Sequence, residues 1–399
     1  MKVLQLCIKP PFPPVDGGTL AMNSITQGLL GAGCKVKVLS MCSDKHPVLE
    51  SRMTDDYRQA TRFEAVYVDL GIHPIDAGLA WLCGESYHAK RFNSKTFASR
   101  LSEVLRAEEF DVVHLESIFL STYVPLIRKY SKAAVILRAH NVENQIWQRI
   151  SASEHNPFRR GYLKHLSLTL RAYELEHIND YDGIVCITEN DADYFRQNGC
   201  RKEVISIPFG ITPCVPDNVA EEPGTLFHIG SMDWLPNLEG INWFLERVWP
   251  VVHERIPQLS LYLAGRKMPE HLMRLNMEGV KVVGEVADAT YFIASKQINV
   301  VPLLSGSGIR VKIIEAMSLG KTVISTTIGA QGIGCTNGEH LLLADTPDAF
   351  AEQIQRCVND PEFCHRIGRN AYDFILHSYS TATLTNQLLD FYGKRINFT

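Results

Sequence analysis

The segment over residues 297–330 leaves few folds open to this chain. An uncharged run over 298–304 leads into a short segment with two glycines, Gly306 and Gly308, then into a charged and apolar stretch over 309–319, and a second uncharged run follows at 322–325. This pattern predicts a strand, a glycine loop, a helix that Gly320 ends, and another strand. Units of this kind build parallel, doubly wound α/β sheets.

The predicted helix over 309–319 combines burial with charge. Its apolar residues form two faces, so the helix is expected to be buried on both sides, yet it carries Arg310, Lys312 and Glu315. One interpretation is an internal ion pair between Lys312 and Glu315, which lie three residues apart. The other, which we favour, is that Arg310 and Lys312 join the loop amides and the helix N-terminus in binding a diphosphate. Glu315 would then accept hydrogen bonds from a ribose.

Composition sets the class of protein. A chain of 399 residues with 45% hydrophobic residues has room for two domains with full cores, and its net charge of −4 gives no support for a nucleic-acid partner. The ten cysteines show no CxxC spacing, so we expect reduced thiols and a cytoplasmic protein. The N-terminus lacks a signal-peptide pattern, and no apolar run reaches the ~18 residues of a spanning helix.

The first strand, over residues 2–8, is followed by a proline-rich loop that ends in Gly17 and Gly18 before a helix over 19–30 and a strand over 35–40. The loop lacks the GxGxxG spacing of a dinucleotide fold, which argues against NAD. Two interpretations of Gly17 and Gly18 stay open. Their amides contact a phosphate or sugar, or the pair only makes a tight turn.

A histidine lies at the predicted carboxyl end of a strand. Mainly apolar runs predict strands over 111–116 and 133–138, and His140 follows the second of them. Ligands of open α/β sheets bind at the carboxyl ends of strands, so His140 is a candidate site residue. His114 lies inside the first of these strands and is interpreted as structural. Residues 44–100 carry no clear pattern.

The predicted helix over 158–178 is amphipathic and basic. Such a helix can lie on an anionic membrane, and peripheral membrane contact is therefore among the expectations. Packing against its own domain is the interpretation we favour.

Two D-x-D triplets, Asp180 with Asp182 and Asp191 with Asp193, resemble the metal-binding pairs of some transferases. The first precedes a predicted strand over 182–187, and the second lies in the first turn of a helix, where the helix dipole favours acids. Both are interpreted as structural, and no metal site is expected.

A second α/β series follows a proline-rich linker over 207–223. It comprises strands over 226–230, 259–264 and 280–283, a helix over 237–252 between the first two, and helices over 347–358, 361–378 and 382–394. We therefore predict two domains, 1–208 and 209–378, with the last helix within 379–399 packing back on the first. A cleft between such domains is a preferred ligand site.

In this order and spacing, the motifs resemble the retaining glycosyltransferases of family 4 over nearly the whole chain. The pieces that carry the resemblance are Gly17-Gly18, Arg138-Ala139-His140-Asn141, Ile207-Pro208-Phe209-Gly210, Phe227-His228-Ile229-Gly230, Leu263-Ala264-Gly265, Val283-Gly284-Glu285-Val286 and the segment from Ser305 to Gly320. The resemblance implies the GT-B fold, in which two Rossmann-like doubly wound domains face a cleft.

The resemblance also implies roles. The C-terminal domain would bind a nucleotide-diphosphate sugar, with Glu315 on the ribose and His140 near the donor sugar, and Arg310 and Lys312 would stabilise the leaving diphosphate. The acceptor, a glycan or a lipid-linked intermediate of cell-surface polysaccharide synthesis, would bind the N-terminal domain. The donor-binding residues implied are Gly17, Gly18, Gly230, Ser231, Arg266, Val286, Gly306, Ser307, Gly308 and Ile309.

The chain departs from the family pattern at two places. Ser307 replaces the first glutamate of the E-x7-E motif, and the usual basic pair after Gly230 is absent. Arg310 and Lys312 supply the missing charge, so neither a metal nor a cofactor is expected. Two alternatives stay open: a nucleotide-sugar 2-epimerase on the same fold, and a degenerate binder of sugar nucleotides without catalysis.

Overall fold

Two parallel β-sheets organise the chain. The computed structural model describes residues 1–154, 156–212, 216–217, 219–306 and 308–396. The first unit comprises Met1–Gly210 with Thr381–Thr399, and the second comprises Ile211–Ser380. The divisions fall after Gly210 and Ser380, whereas the sequence placed them after residues 208 and 378. Each unit is described separately.

The first unit contains a seven-stranded sheet in the order β3-β2-β1-β4-β5-β6-β7, and all neighbouring strands are parallel. A short 3₁₀ segment, Glu50–Arg52, and a second, Ile118–Tyr123, lie in its loops. Its elements are β1 (Lys2–Cys7), α1 (Gly17–Gly31), β2 (Lys35–Cys42), α2 (Asp55–Thr61), β3 (Glu64–Tyr67), α3 (Pro74–Cys83), α4 (Tyr87–Lys90), α5 (Lys95–Ala107), β4 (Val112–Leu115), α6 (Val124–Tyr130), β5 (Ala134–Ala139), α7 (Glu143–Ser153), α8 (Pro157–His177), β6 (Gly183–Cys186), α9 (Glu189–Gln197) and β7 (Val204–Ser206).

Both faces of this sheet are covered, which explains why its central strands are mainly apolar. Alternate residues of each strand enter different clusters. Leu4, Leu115 and Leu137 pack on one face with Phe97 and Leu101 of α5. The opposite face packs against α1 and the last helix of the chain through Val3, Val36, Val112, Ile136, Val185, Met22, Leu388 and Tyr392.

The second unit contains a six-stranded sheet in the order β10-β9-β8-β11-β12-β13, again with parallel neighbours. The last helix, α18 (Thr381–Ile396), belongs to the first unit. The elements of the second unit are β8 (Thr225–Ile229), α10 (Leu235–Trp243), α11 (Trp249–Arg255), β9 (Ser260–Ala264), α12 (Glu270–Met273), β10 (Val280–Gly284), α13 (Ala289–Ala294), β11 (Ile298–Val301), α14 (Val311–Ser318), β12 (Thr322–Ser325), α15 (Thr327–Ala330), β13 (Leu342–Leu343), α16 (Pro347–Asn359) and α17 (Pro361–Ser378).

The structure corrects several predicted boundaries. The helix expected over 237–252 is divided into α10 and α11 by a π-helical turn, Phe244–Val248. Pro250 explains the break, because it lacks the N–H that a continuous helix needs. Gly17 and Gly18 are the first residues of α1 and do not end a loop. The predicted helix over 309–319 begins later, at Val311, with Arg310 as its N-cap residue.

Parts of the sequence-based predictions lie outside the described residues. These are Ser307 and, within the predicted linker over 207–223, residues 213–215 and 218. Within the described part of the chain, no helix combines the length and the apolar character needed to cross a membrane. Nine cysteines are described and all are free thiols.

Candidate active site

The amino group of Lys312 lies at the carboxyl ends of the central strands of the second unit. Its Nζ donates a hydrogen bond to Oδ1 of Asn237 at 2.5 Å and lies 3.3 Å from Nε2 of His228. Nδ1 of His228 donates to the carbonyl oxygen of Val300 at 2.8 Å, so its Nε2 is the acceptor nitrogen of a neutral ring. Burial and the Lys312 charge both lower the pKa of His228 well below its usual value.

Lys312 is a cation in an unfavourable place. Burial, and secondly the neighbouring Arg310, lower the pKa of Lys312 to about 7, while Glu315 opposes the shift. The ion pair between Lys312 and Glu315 that was one interpretation of the sequence is absent from the described residues, and Lys312 contacts neutral Asn237 and His228 instead. An anion bound beside Lys312 would stabilise its protonated form.

Arg310 lies directly before α14 and is almost completely buried. Its Nη1 donates to the carbonyl oxygen of Gly308 at 2.6 Å, and its guanidinium lies 5.5 Å from the centre of the Trp234 ring. Gly306 has a φ of 116° and Gly308 a φ of 79°, which an L-residue rarely adopts. The glycine loop therefore wraps around the guanidinium and holds it at the N-terminal end of α14.

Glycines at the carboxyl ends of β8 and β9 allow the backbones of the two strands to approach closely. A Cβ atom on Gly265 would lie 1.7 Å from the carbonyl oxygen of Gly230, and one on Gly230 would lie 2.6 Å from Nζ of Lys312. Any side chain at either position would displace a neighbour. Both glycines thus keep the surface beside Lys312 open at backbone level.

Glu315 is half-buried on α14, one turn beyond Lys312. Burial raises the pKa of its carboxyl group, with a smaller opposing effect of Lys312. Among the described residues its carboxylate makes no hydrogen bond or ion pair. A carboxylate in this situation is suited to accept hydrogen bonds from a hydroxylated ligand.

The other predicted donor residues of this unit follow the carboxyl ends of β8, β9 and β10 or precede α14. Oγ of Ser231 donates to Asp233 at 2.6 Å, and its carbonyl oxygen accepts from Asn237 at 2.8 Å. Arg266 is exposed and its carbonyl oxygen accepts from the amide of Met232, while Val286 and Ile309 are half-buried. Ser307 lies outside the described residues.

In the first unit, a lysine lies against the two glycines that begin α1. Asp16 caps the helix by accepting from the amide of Thr19 at 2.8 Å, and Nζ of Lys9 donates to both carboxylate oxygens of Asp16 at 2.8 and 2.7 Å. A Cβ atom on Gly18 would lie 3.1 Å from that Nζ. Gly17 is exposed, so the helix N-terminus remains accessible at this residue beside the Lys9–Asp16 pair.

His140 is held by a buried carboxylate. Its Nε2 lies 2.9 Å from Oε2 of Glu116, and Oε1 of Glu116 accepts from Nε2 of Gln5 at 2.6 Å. Burial acts to raise the pKa of Glu116, but His114 and His140 outweigh it and hold that pKa well below its usual range. An ionised Glu116 only accepts, so His140 donates through Nε2, and in the neutral ring Nδ1 is an acceptor.

His114 has the structural position expected of it. The ring is fully buried, its Nε2 lies 3.3 Å from Glu116, and its Nδ1 lies 2.5 Å from the Tyr392 hydroxyl of α18. The helix α18 packs closely against β6, since a Cβ atom on Gly183 would lie 2.5 Å from the Phe391 ring.

The residues of these sites that were not assigned a role from the sequence include Lys9, Glu116, His228 and Asn237. Glu116 had a usable signal, because it directly follows β4 just as His140 follows β5, and the two strands are neighbours. Lys9 and Asn237 occupy the segments that follow β1 and β8. His228 lies within a strand, where nothing in the pattern distinguishes it from a core residue.

The two D-x-D triplets are occupied by protein partners. Asp182 accepts from the amide of Val135 at 2.7 Å and pairs with Arg128 at 2.8 Å. The carboxylate of Asp191 accepts a hydrogen bond from the hydroxyl of Thr188 at 2.8 Å. Within the described ranges, no group of three or more His, Cys, Asp or Glu residues is arranged to hold a metal ion.

Comparison with known proteins agrees with this architecture. Residues 15–213 match the family model Glycosyltransferase Family 4, and residues 223–360 match Glycosyl transferases group 1. An uncharacterized 44.6 kDa protein in the cps region of Klebsiella pneumoniae is 24% identical over 298 residues, which are 71% of this chain and 74% of that protein.

Solved structures share the fold over the whole chain. HepE of Anabaena in complex with UDP has a TM-score of 0.70 at 14% identity, covering 99% of this chain and 100% of that one. Sucrose-phosphate synthase of Thermosynechococcus elongatus has a TM-score of 0.71 at 15% identity, covering 100% of both chains. The two parallel sheets, the matched family models and these neighbours agree, and the chain belongs to the family 4, or group 1, glycosyltransferases of the GT-B fold.

Proposed function

We propose that this glycosyltransferase moves a hexose from a nucleotide-diphosphate sugar to a glycan or lipid-linked acceptor with retention of the anomeric configuration. The observation that carries the proposal is the arrangement around α14. Arg310 and Lys312 directly follow a glycine loop at a helix N-terminus, and Glu315, without a protein partner among the described residues, lies one turn further along. Diphosphate and ribose are the two parts of a ligand that this arrangement matches.

The chemistry follows from charge. Bond breakage at the anomeric carbon leaves a nucleoside diphosphate with additional negative charge. Arg310, Lys312 and the loop amides at Gly306 and Gly308 stabilise that charge more than they stabilise the intact donor, which is how they accelerate the reaction. His140 contacts the donor sugar and orients it, in keeping with the family resemblance, and Gly17 and Gly18 face the diphosphate.

The same two cations make a metal ion unnecessary for neutralising the leaving group. We therefore propose that catalysis persists in the presence of a chelator. Among neighbouring structures, HepE has been solved with UDP and with UDP-glucose, which makes UDP-sugars the first donors to test. Synthesis of a cell-surface polysaccharide or glycoconjugate in the cytoplasm is the proposed context.

The deciding experiment supplies UDP-, GDP-, ADP- and dTDP-sugars with and without chelator and follows released nucleotide and sugar products. Released nucleoside diphosphate together with an α-linked product from an α-linked donor, seen by NMR, supports the proposal. An epimerised sugar nucleotide would establish the epimerase alternative. Donor binding with no turnover in the presence of a panel of lipid-linked and glycan acceptors would favour the non-catalytic binder.

A further inference from the structure

Helix α3 presents an apolar stripe to solvent. Ile75, Leu79 and Leu82 recur at the spacing of one helical face and are 79%, 51% and 77% exposed. Trp81 is 57% exposed, and Ala80 is the one described residue of the helix that is buried. A core-facing helix has the opposite arrangement, so this face is available to a partner.

A second exposed apolar segment lies on α8. Phe158 in its first turn is 88% exposed, and Tyr162 one turn later is also exposed. The ring of Trp81 meets the ring of His165 edge-on at 6.1 Å, and His165 lies about 10 Å along the helix from Phe158. The two helices therefore form one surface, which we call the α3–α8 surface, made of Ile72, Ile75, Leu79, Trp81, Leu82, Phe158 and Tyr162.

Positive charge surrounds the apolar part on α8. Residues 149–164 contain Arg149, Arg159, Arg160 and Lys164 against a single acid, Glu154. All four basic side chains are exposed, and none forms an ion pair within the described part of the chain. Phe158 is thus followed directly by two cations, Arg159 and Arg160, that form no ion pair with any carboxylate among the residues that the structure describes.

We propose that the α3–α8 surface docks the enzyme on an anionic lipid bilayer. Apolar and aromatic side chains with basic residues beside them are the composition of helices that lie in the membrane interface. A second copy of the chain fits less well, because a two-fold contact would bring the same patch of each copy together, including Arg159, Arg160 and Lys164, which would repel one another.

This surface gives the proposed transferase a place to meet a lipid-linked acceptor, and to that extent the inference rests on the proposed function. Docking itself does not depend on turnover, since none of these side chains belongs to the candidate active site. Vesicle binding and donor turnover can therefore fail separately.

The test is co-sedimentation of the full chain with vesicles of phosphatidylcholine mixed with phosphatidylglycerol and with vesicles of phosphatidylcholine alone. Leu79→Ser with Leu82→Ser removes the apolar contact, and Arg159→Glu with Arg160→Glu reverses the charge. Each pair should lower the partition coefficient about tenfold or more on mixed vesicles. Lys129→Glu with Lys132→Glu, an equal charge change at two exposed lysines of the same unit, should leave binding unchanged.

The proposal is supported if the wild type and the lysine control sediment with mixed vesicles, whereas the double leucine variant and the double arginine variant do not. Should the leucine pair fail to fold, as judged by circular dichroism, the arginine pair still decides. A wild type that stays in the supernatant overturns the proposal, as does equal binding by all variants. A dimer in ultracentrifugation that the leucine pair converts to monomer, without vesicle binding, would assign the surface to a second copy.

Discussion

The glycine loop of the second unit and the histidine of the first unit handle charge in opposite ways. Glu116 is almost fully buried, yet Gln5 and His140 hydrogen-bond to its carboxylate and Nε2 of His114 lies 3.3 Å away. The amino group of Lys312 contacts the neutral side chains of Asn237 and His228. The carboxylate of Glu315 has no hydrogen-bond or ion-pair partner in the described part of the chain. The charge of Glu116 is compensated within the protein, whereas we propose that Lys312 gains an opposite charge only when a diphosphate binds.

This difference suits the two regions to different tasks in the proposed reaction. A carboxylate that is buried and hydrogen-bonded within the protein keeps His140 in one orientation, which is what positioning requires. A cation that burial disfavours responds strongly to an anion, which is what binding and leaving-group stabilisation require. Variants of the two regions should therefore change different kinetic constants.

The largest effect is expected from the cations. Arg310→Ala combined with Lys312→Ala should weaken binding of UDP about 100-fold or more, since losing a charged partner costs about 2–5 kcal/mol, but should leave uridine binding within about twofold. Isothermal titration with both ligands measures this. Lys281→Ala, at an exposed lysine of the same unit, is the control. Equal losses for UDP and uridine would mean that Arg310 and Lys312 only support the fold.

His140 should act on turnover instead. His140→Ala should lower kcat about 100-fold with the Kd of UDP unchanged, because the ring positions the sugar and does not hold the nucleotide. Glu116→Gln keeps the size of the side chain but accepts less strongly from His140, so a smaller loss, about tenfold, is expected. A fully active His140→Ala enzyme would remove the histidine from the mechanism.

Glu315 sharpens the assignment within the donor site. Glu315→Gln replaces a charged acceptor by a neutral one, and the affinity for uridine and for UDP should fall alike, by about fivefold to tenfold. The 2′-deoxy and 3′-deoxy nucleotides should bind the wild type more weakly than the ribonucleotide does. For the Glu315→Gln variant, this difference between deoxynucleotide and ribonucleotide should be small. Unchanged uridine binding in Glu315→Gln would place the ribose elsewhere.

Periodicity predicted most of the fold, and chemistry at strand ends predicted part of the site. The strands β1, β5 and β11 were recognisable because both of their faces are buried. The helix α3 was not, because its apolar stripe faces solvent and its neighbours over 44–100 are short elements. The region around Lys312 was recognised by its charges, but Asn237 and His228 lie 75 and 84 residues away in sequence, and only folding brings them to its amino group.

The protonation of Lys312 gives the finest test of the comparison. With a pKa of about 7 in the free enzyme, Lys312 is mostly neutral at pH 8, and a bound diphosphate should raise that pKa and draw in a proton. Binding of a UDP-sugar, whose diphosphate lacks the terminal group that titrates near pH 6, should take up about one proton at pH 8 and almost none at pH 6. Titrations in buffers of different protonation enthalpy count these protons.

Lys312→Arg, which stays charged throughout, should abolish the uptake. Uptake that persists in that variant would place the titrating group elsewhere, and no uptake in the wild type at pH 8 would mean that Lys312 is charged before the ligand arrives.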